Sequence, residues 1–358
     1  MKTKKSIDSN EWLGTMAIAS IALAVAVIHG THLYVLFEND RFFSHLSPLE
    51  RELSFRTEAG FYYSYYKTVV TAPSFRLGLQ KLVSDNVTEF PSTINTLQRF
   101  NLYPEVFLGF LYRTFTIVFG PLSVECFTVS RGLGQPSVRT CTGPGEPIYF
   151  YVLSVFALNG LYCAGLFLLS TLLSESVVGG LLSIILFFYN HGEATRVMWT
   201  PPLRESFAVP FLAFQLAAVV HTFRHPRPSW SEFASILLSS LFFLVPWQLS
   251  QFVILTQTLA QMAVYSVRLM PGRKAATVIC AQLSSSSVSS FSVSSSSSSI
   301  SSSSVSSSSV SSSSVSSSSV SSSSVISSHY NSISSTTVNY PYNIAALSNT
   351  AILCIHVL

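Results

Sequence analysis

The run from Trp12 to Leu36, WLGTMAIASIALAVAVIHGTHLYVL, is nearly unbroken in apolar residues. As a helix it is about 37 Å long, enough to cross the hydrocarbon core of a bilayer. Lys2, Lys4 and Lys5 precede it, and basic residues on that side place the preceding segment, 1–11, in the cytosol. The run is too long for the core of a signal peptide, and no small-residue cleavage site follows it. It therefore reads as a retained anchor. Composition agrees: charged residues are 10% of the 358-residue chain, against about 25% in a soluble domain. Hydrophobic residues are 48% in spite of a long serine tract. His29 and His32, near the far end of the run, read as packed polar residues rather than ligands.

Directly after the anchor comes FENDRFFSHLSPLERELSFRTEAGFYYSYYK, from Phe37 to Lys67, dense in acids, bases and aromatics. Ser47 can cap a helix, Pro48 suits its first position, and Glu50 closes a capping box. If one helix continues through Lys67, Glu58 has Ser54 and Phe55 a turn back and Phe61 and Tyr62 a turn ahead. A carboxylate among aromatic rings at a membrane surface is partly desolvated, which favours its neutral form and suits a general base. The same residues also describe an amphipathic helix whose tyrosines lie at headgroup level. From residue type alone, both readings stand.

The segment 37–147 is polar enough to lie outside the bilayer as a first lumenal loop with surface helices. It carries a glycosylation sequon at Asn86-Val87-Thr88. Glu105 to Val124 is apolar enough to tempt a span. However, Arg113 in its middle would cost about 2.5–3.5 kcal/mol at the bilayer centre. A span there would also turn the later basic loops into the lumen, so a surface-lying helix is expected. Cys126 and Cys141 flank a Gly/Pro-rich loop on the same side, and an oxidising lumen would allow them to pair. The multi-span region, 148–269, continues with Ile148–Leu173, a short Val177–Phe188, Ser206–Val220, Phe233–Val245 and Phe252–Val267. The short third span is expected to break into an irregular lumenal segment, 189–205, a break tolerated where backbone is buried in protein or lines a cavity. Arg224, Arg227, Arg268, Arg273 and Lys274 fall at the cytosolic turns. The expectation is an all-α integral membrane protein with about six spans, with Glu58, the Arg196 loop and Gln248 on the lumenal side.

Past Lys274 the chain changes character. In the last segment, 270–358, Ser-Ser-Ser-Ser-Val recurs with Val305, Val310, Val315, Val320 and Val325 five apart. That period matches neither helix nor strand, and a serine tract buries little apolar surface. Disorder is expected from about Ala275. The repeat reads as translated simple-sequence DNA, reached by a frameshift or an unspliced intron.

Three blocks carry a family resemblance. FENDRFFSHLSPLERELSFRTEAGFYYSYYKTVV resembles the first lumenal segment of the DPY-19 family of protein C-mannosyltransferases. FFYNHGEATRVMWTPPLRES, Phe187 to Ser206, and VPWQLSQFVILTQ, Val245 to Gln257, are similar to it as well. The likeness covers roughly Trp12 to Leu269, the amino-terminal part of such a protein. It implies an endoplasmic reticulum membrane enzyme of GT-C architecture that needs no cofactor. The implied reaction moves mannose from dolichyl-phosphate mannose to carbon 2 of tryptophan in Trp-x-x-Trp motifs of secretory proteins, thrombospondin-type repeats among them. The leaving phosphate calls for cationic clamps and the indole for a base. Glu58, the acid of the RTEAG match, is the expected base, with Glu50 and Glu52 as rivals. Arg196 and Arg204 flank Thr200-Pro201-Pro202. Their type suits either phosphate binding or pairs with Glu193 and Glu205, and the resemblance favours phosphate for at least one. His191 and Glu193 lie in the same matching block as donor-contacting candidates. Trp247, Gln248 and Gln251 lie in the third, where glutamines suit either sugar hydroxyls or interspan bonding.

Other classes fare worse. His191 and Glu193 lack the spacing and third ligand of a metal site. No Gly-rich phosphate loop suggests a nucleotide-sugar donor or other nucleotide, and nothing in the chain points to nucleic acid. A transporter would need ionisable residues inside several spans. The competing reading is a non-catalytic membrane scaffold or an inactive truncated family member.

Overall fold

A computed structural model describes residues 9–120, 124–132, 134, 136–226 and 228–301. Lys2, Lys4, Lys5, Arg227 and the Ser-Val repeat from Val305 to Val325 lie outside them. The described chain is almost entirely helical. In order it forms α1 (Ser9–Arg41), a 3-10 turn (Phe43–His45), α2 (Pro48–Ser54), α3 (Glu58–Thr71), α4 (Phe75–Val83), α5 (Thr96–Arg99) and α6 (Tyr103–Phe119). The hairpin β1 (Glu125–Val129) and β2 (Val138–Thr142) follows. Then come α7 (Pro147–Ser174), α8 (Val177–Tyr189), α9 (His191–Ala194), α10 (Arg204–Arg224), α11 (Trp230–Leu244), α12 (Ser250–Ser266) and α13 (Gly272–Ser301).

Among the described residues, three helices are long and apolar enough to cross a membrane, in α1, α7 and α10. The helices α8 and α11 are shorter and apolar, and α12 has 17 residues, below the roughly 20 that a perpendicular span needs. The molecule is thus a multi-span α-helical membrane protein that combines long and short apolar helices.

The long helix α7 is the centre of the bundle, packed on α1, α8 and α10. It approaches α1 closely because Gly160 has no side chain: a Cβ there would meet the Ala26 carbonyl oxygen at 2.4 Å. Small residues are the usual means of such contact between membrane helices. Asn159 Nδ2 donates to the Ser206 carbonyl at 3.0 Å and ties α7 to α10. Above this trio, one aromatic core joins α1, α3, α7 and α10 through Phe37, Phe55, Tyr66, Tyr151, Phe156 and Phe207.

The capping box at Ser47 and Glu50 forms as its sequence dictates. The helix it opens does not run through to Lys67: it ends at Ser54, and a new one begins at Glu58. The break is local in cause. Thr57 adopts φ 52°, and a Cβ on Gly60 would lie 2.6 Å from the Phe55 carbonyl oxygen. Gly60 therefore admits a backbone kink that any other residue would obstruct. Arg51, fully buried beside the kink, donates to the carbonyls of Phe43 and Ser44 at 2.8 and 3.0 Å and to the Cys141 carbonyl and Thr140 Oγ1. It pins α2 to the hairpin, whose Cys126 and Cys141 face one another in register and are disulfide-bonded.

The helix α6 packs on α3 with Phe107, Phe110, Ile117 and Val118 exposed on its outer face. Arg113, the residue that argues against a span, donates to the carbonyls of Val69, Val70 and Ala72. These are the unsatisfied acceptors at the end of α3.

Over the described residues, up to Ser301, the expectation of disorder from Ala275 is corrected by α13, which packs on α11 and α12. Ala275, Val278, Ala281, Gln282 and Ser285 are buried, the stripe of one helix face. Gln282 accepts from Thr258 Oγ1 at 3.1 Å and donates to Gln257 at 3.1 Å, joining α13 to α12. Serines in this helix bond back to the preceding turn: Ser285 and Ser286 donate to the Gln282 carbonyl at 2.7 and 3.0 Å, and Ser287 to the Leu283 carbonyl at 2.9 Å. A small, self-satisfied side chain packs between membrane helices with little apolar area of its own.

Candidate functional site

The kink at Phe55–Thr57 makes Glu58 the first residue of α3, where the helix dipole favours an anion. Its side chain opens on a cavity of about 480 Å³. Facing it are Arg99 and Asn101 from the α5–α6 connection, Arg204 and Glu205 from the start of α10, and Trp247 and Gln248 from the α11–α12 turn; Tyr62 supplies part of the wall. Four segments far apart in the chain meet here because each begins or ends a helix at the same end of the bundle. Glu50 and Glu52 do not line this cavity. Glu50 closes its capping box and pairs with Arg131, whose hydrogen bonds, with those of Ser47, hold the carboxyl well below the usual range. Glu52 pairs with Lys67 at 2.7 Å.

Arg204 is held from below. Its Nη1 donates to Glu105 Oε2 at 2.8 Å, its Nη2 to Glu105 Oε1, and Nη1 also reaches the Asn101 carbonyl at 3.1 Å. Tyr151 Oη donates to the same carboxylate at 3.0 Å. Glu105 is fully buried and Arg204 nearly so. The partner of Arg204 is therefore Glu105, 99 residues away, and not Glu193 or Glu205. Tyr62 lies over the guanidinium plane, 3.9 Å from ring centroid to Cζ. Burial raises the Tyr62 phenol above its ordinary range, and the charge of Arg204 opposes that rise. A fixed cation, a stacked phenol and a carboxylate thus line one cavity.

The other residues singled out in the sequence divide by place. Gln248 Nε2 donates to the Arg99 carbonyl at 3.0 Å and stands between this cavity and a second of about 350 Å³. Gln251 lines that second one with Gln98, Tyr103 and Leu244. His191, Glu193 and Arg196 line neither. His191 is buried beside His29 and His32, ring centroids 5.6 and 5.5 Å away, and both its ring nitrogens lack a hydrogen-bond partner. Burial, and then the nearby His32, lower its basicity. Glu193 and Arg196 are exposed on the loop. Asn86 is exposed while its sequon hydroxyl, Thr88 Oγ1, bonds to Asp85 and Tyr65.

Arg99, Asn101 and Glu105 were not foreseen as site residues. Arg99 pairs with Glu89 at 3.3 Å while 60% exposed, a weak tie in water, so its guanidinium is available to the cavity. No local pattern marks these three residues. They matter because α5 and the start of α6 fold across the mouth of α10.

The pattern of the Dpy19 family, described as Q-cell neuroblast polarisation, matches residues 23–356. That match runs beyond Leu269, where the block likeness ends. The chain is 48% identical over 274 residues to the rat protein C-mannosyl-transferase DPY19L1, covering 76% of this chain and 36% of the relative. It is 51% identical over 249 residues to the human protein of that name, covering 69% and 37%. To the C-mannosyltransferase dpy-19 of Caenorhabditis elegans it is 44% identical over 286 residues, covering 79% and 41%. The chain spans little more than a third of the length of the mammalian relatives.

Proposed function

The chain belongs to the Dpy19 family, and from that premise we propose that it carries the transfer centre of a protein C-mannosyltransferase of the endoplasmic reticulum. The donor is dolichyl-phosphate mannose, and the acceptor is the first tryptophan of a Trp-x-x-Trp motif. The observation that carries the reading is convergence. Glu58, Arg204 and the Trp247–Gln248 turn come from the three blocks of likeness and line one cavity.

The chemistry assigns roles. Carbon 2 of the indole attacks the anomeric carbon of mannose, and the bond to phosphate breaks with its electron pair leaving on dolichyl phosphate. The ring regains aromaticity when the carbon 2 proton passes to Glu58 as base. Positioned bases of this kind contribute about 10²–10⁴-fold. Arg99 meets the donor phosphate as the mobile clamp, and Arg204, immobilised by Glu105, supplies a preorganised positive wall. Gln248 and, across the adjoining cavity, Gln251 bond sugar hydroxyls, while Trp247 packs on the sugar or the acceptor. The cavity end of the bundle faces the lumen, with the chain's start in the cytosol. The Cys126–Cys141 disulfide near that end suits an oxidising compartment.

The test is expression of this chain in cells that lack C-mannosylation, beside a secreted thrombospondin-repeat reporter, with mass spectrometry of the reporter's Trp-x-x-Trp peptide. A hexose on the first tryptophan supports the reading. An unmodified reporter, with a longer family member active alongside, favours the second reading, a non-catalytic member.

A further inference from the structure

At the end of α10 away from Arg204, a second cluster stands apart from the cavity. His221 lies in the last turn of α10, and His225, four residues on, is its C-cap. Glu232 stands at the third position of α11, where its Oε2 accepts from the Ser229 backbone N–H at 2.6 Å and from Ser229 Oγ at 3.3 Å. That capping box fixes the carboxylate and turns Oε1 toward the two imidazoles. The Glu232 side chain is 7% exposed, while those of His221 and His225 are 46% and 52% exposed.

Both imidazoles lie within ion-pair range of Glu232 but outside direct hydrogen-bond range. Each Nδ1 is 3.6 Å from the same Oε1, well beyond the roughly 2.7–2.9 Å of a charge-assisted hydrogen bond. The rings lie with centroids 4.3 Å apart, a poor arrangement for two imidazolium ions. The neighbouring cations are engaged elsewhere: Arg224 pairs with Glu175 at 3.2 Å, and Lys274 Nζ donates to the Phe223 carbonyl at 2.6 Å. What the spacing does match is a shared cation. With metal–ligand distances of about 2.1 Å, two ligand atoms 3.6 Å apart subtend about 118°, and a regular tetrahedron needs about 3.4 Å. The three ligand atoms all lie within 4.8 Å of one another.

We propose that His221, His225 and Glu232 form a divalent transition-metal site of the zinc type, which clamps the turn between α10 and α11 at the end of the bundle opposite the cavity. Two neutral imidazole nitrogens and a carboxylate suit that borderline ion, and the solvent-facing side of the rings leaves room for a water as fourth ligand. Ser229, which orients the carboxylate, plays the supporting part that outer groups play around metal ligands. The expectation that this chain holds no metal rested on His191 and Glu193, which are at the other end.

The experiment uses the full chain, purified in detergent through a tag without histidine, stripped with chelator and titrated with Zn²⁺ against a chromophoric competitor. A Co²⁺ titration read by its visible absorption runs in parallel. The expected result is a single saturable equivalent and a Co²⁺ spectrum of tetrahedral type. In the His221→Ala/His225→Ala variant, affinity falls by about tenfold or more and the spectrum is lost. Zn²⁺ should also raise the melting temperature of the wild type and leave that of the double variant unchanged. Because the chain has 8 histidines, binding that persists unchanged in the double variant would overturn the proposal. So would the absence of saturable binding in the wild type.

Discussion

Replacing Glu105 with alanine removes the partner of a nearly buried guanidinium. The Arg204 side chain is 7% exposed and that of Glu105 is fully buried, so water replaces the lost partner only in small part. The pair also involves more than Coulomb attraction: both carboxylate oxygens accept from Arg204, and Tyr151 adds a third bond. Breaking a buried pair by removing one member costs about 3–5 kcal/mol, because the other charge is left uncompensated. At roughly 2–4 °C per kcal/mol for a mid-sized domain, the melting temperature falls by about 6 °C or more. The assay is thermal unfolding in detergent of wild type, Glu105→Ala, Arg204→Leu and Glu105→Leu/Arg204→Leu. The double variant removes both charges and is expected to recover a large part of the loss, since a buried pair is often no better than an apolar substitute. The signature is strong coupling in the cycle. Single losses that simply add in the double variant would refute the account of Arg204 as a charge held by Glu105.

Gly60→Ala should disturb the kink before α3, since the new methyl group would lie 2.6 Å from the Phe55 carbonyl oxygen. A loss of about 1–3 kcal/mol in melting and a drop in reporter modification are expected, whereas Gly14→Ala, with open space around it, should change neither. Cys126→Ser/Cys141→Ser opens a loop of sequence separation 15, a loss of about 3 kcal/mol. Non-reducing peptide mapping of the wild type should recover the linked pair. Arg113→Leu leaves the end of α3 without the donors that reach Val69, Val70 and Ala72. Faster hydrogen exchange at the end of α3, with a stability loss of about 2 kcal/mol, checks it.

How much of this was legible depended on the range of the interaction that decides each feature. Membrane character follows from composition. The Ser47–Glu50 box follows from spacing, because capping is settled within four residues. The kink at Thr57 was not legible: a helix pattern continues through it, and only the contact between Gly60 and Phe55 shows why the chain departs. The Glu105–Arg204 pair joins residues 99 apart, so the nearer acids Glu193 and Glu205 were the natural but mistaken partners. The helix α13 was missed for a different reason. A serine tract lacks apolar area, but its hydroxyls bond their own backbone, and Val278, Ala281 and Gln282 provide enough of a face to dock on α11 and α12. Of the residues expected at the site, Glu58, Arg204, Trp247 and Gln248 line the main cavity and Gln251 its neighbour, while His191, Glu193 and Arg196 stand outside both.

The most direct measurement compares Glu58→Gln with Glu52→Gln in the reporter assay, both checked for equal expression and membrane insertion. If Glu58 is the base, Glu58→Gln lowers hexose transfer by about 100-fold or more. Glu52→Gln, which loses only an exposed pair with Lys67, stays near the wild type. Retained transfer in Glu58→Gln, with loss in Glu52→Gln, would contradict the assignment and move the chemistry away from this cavity.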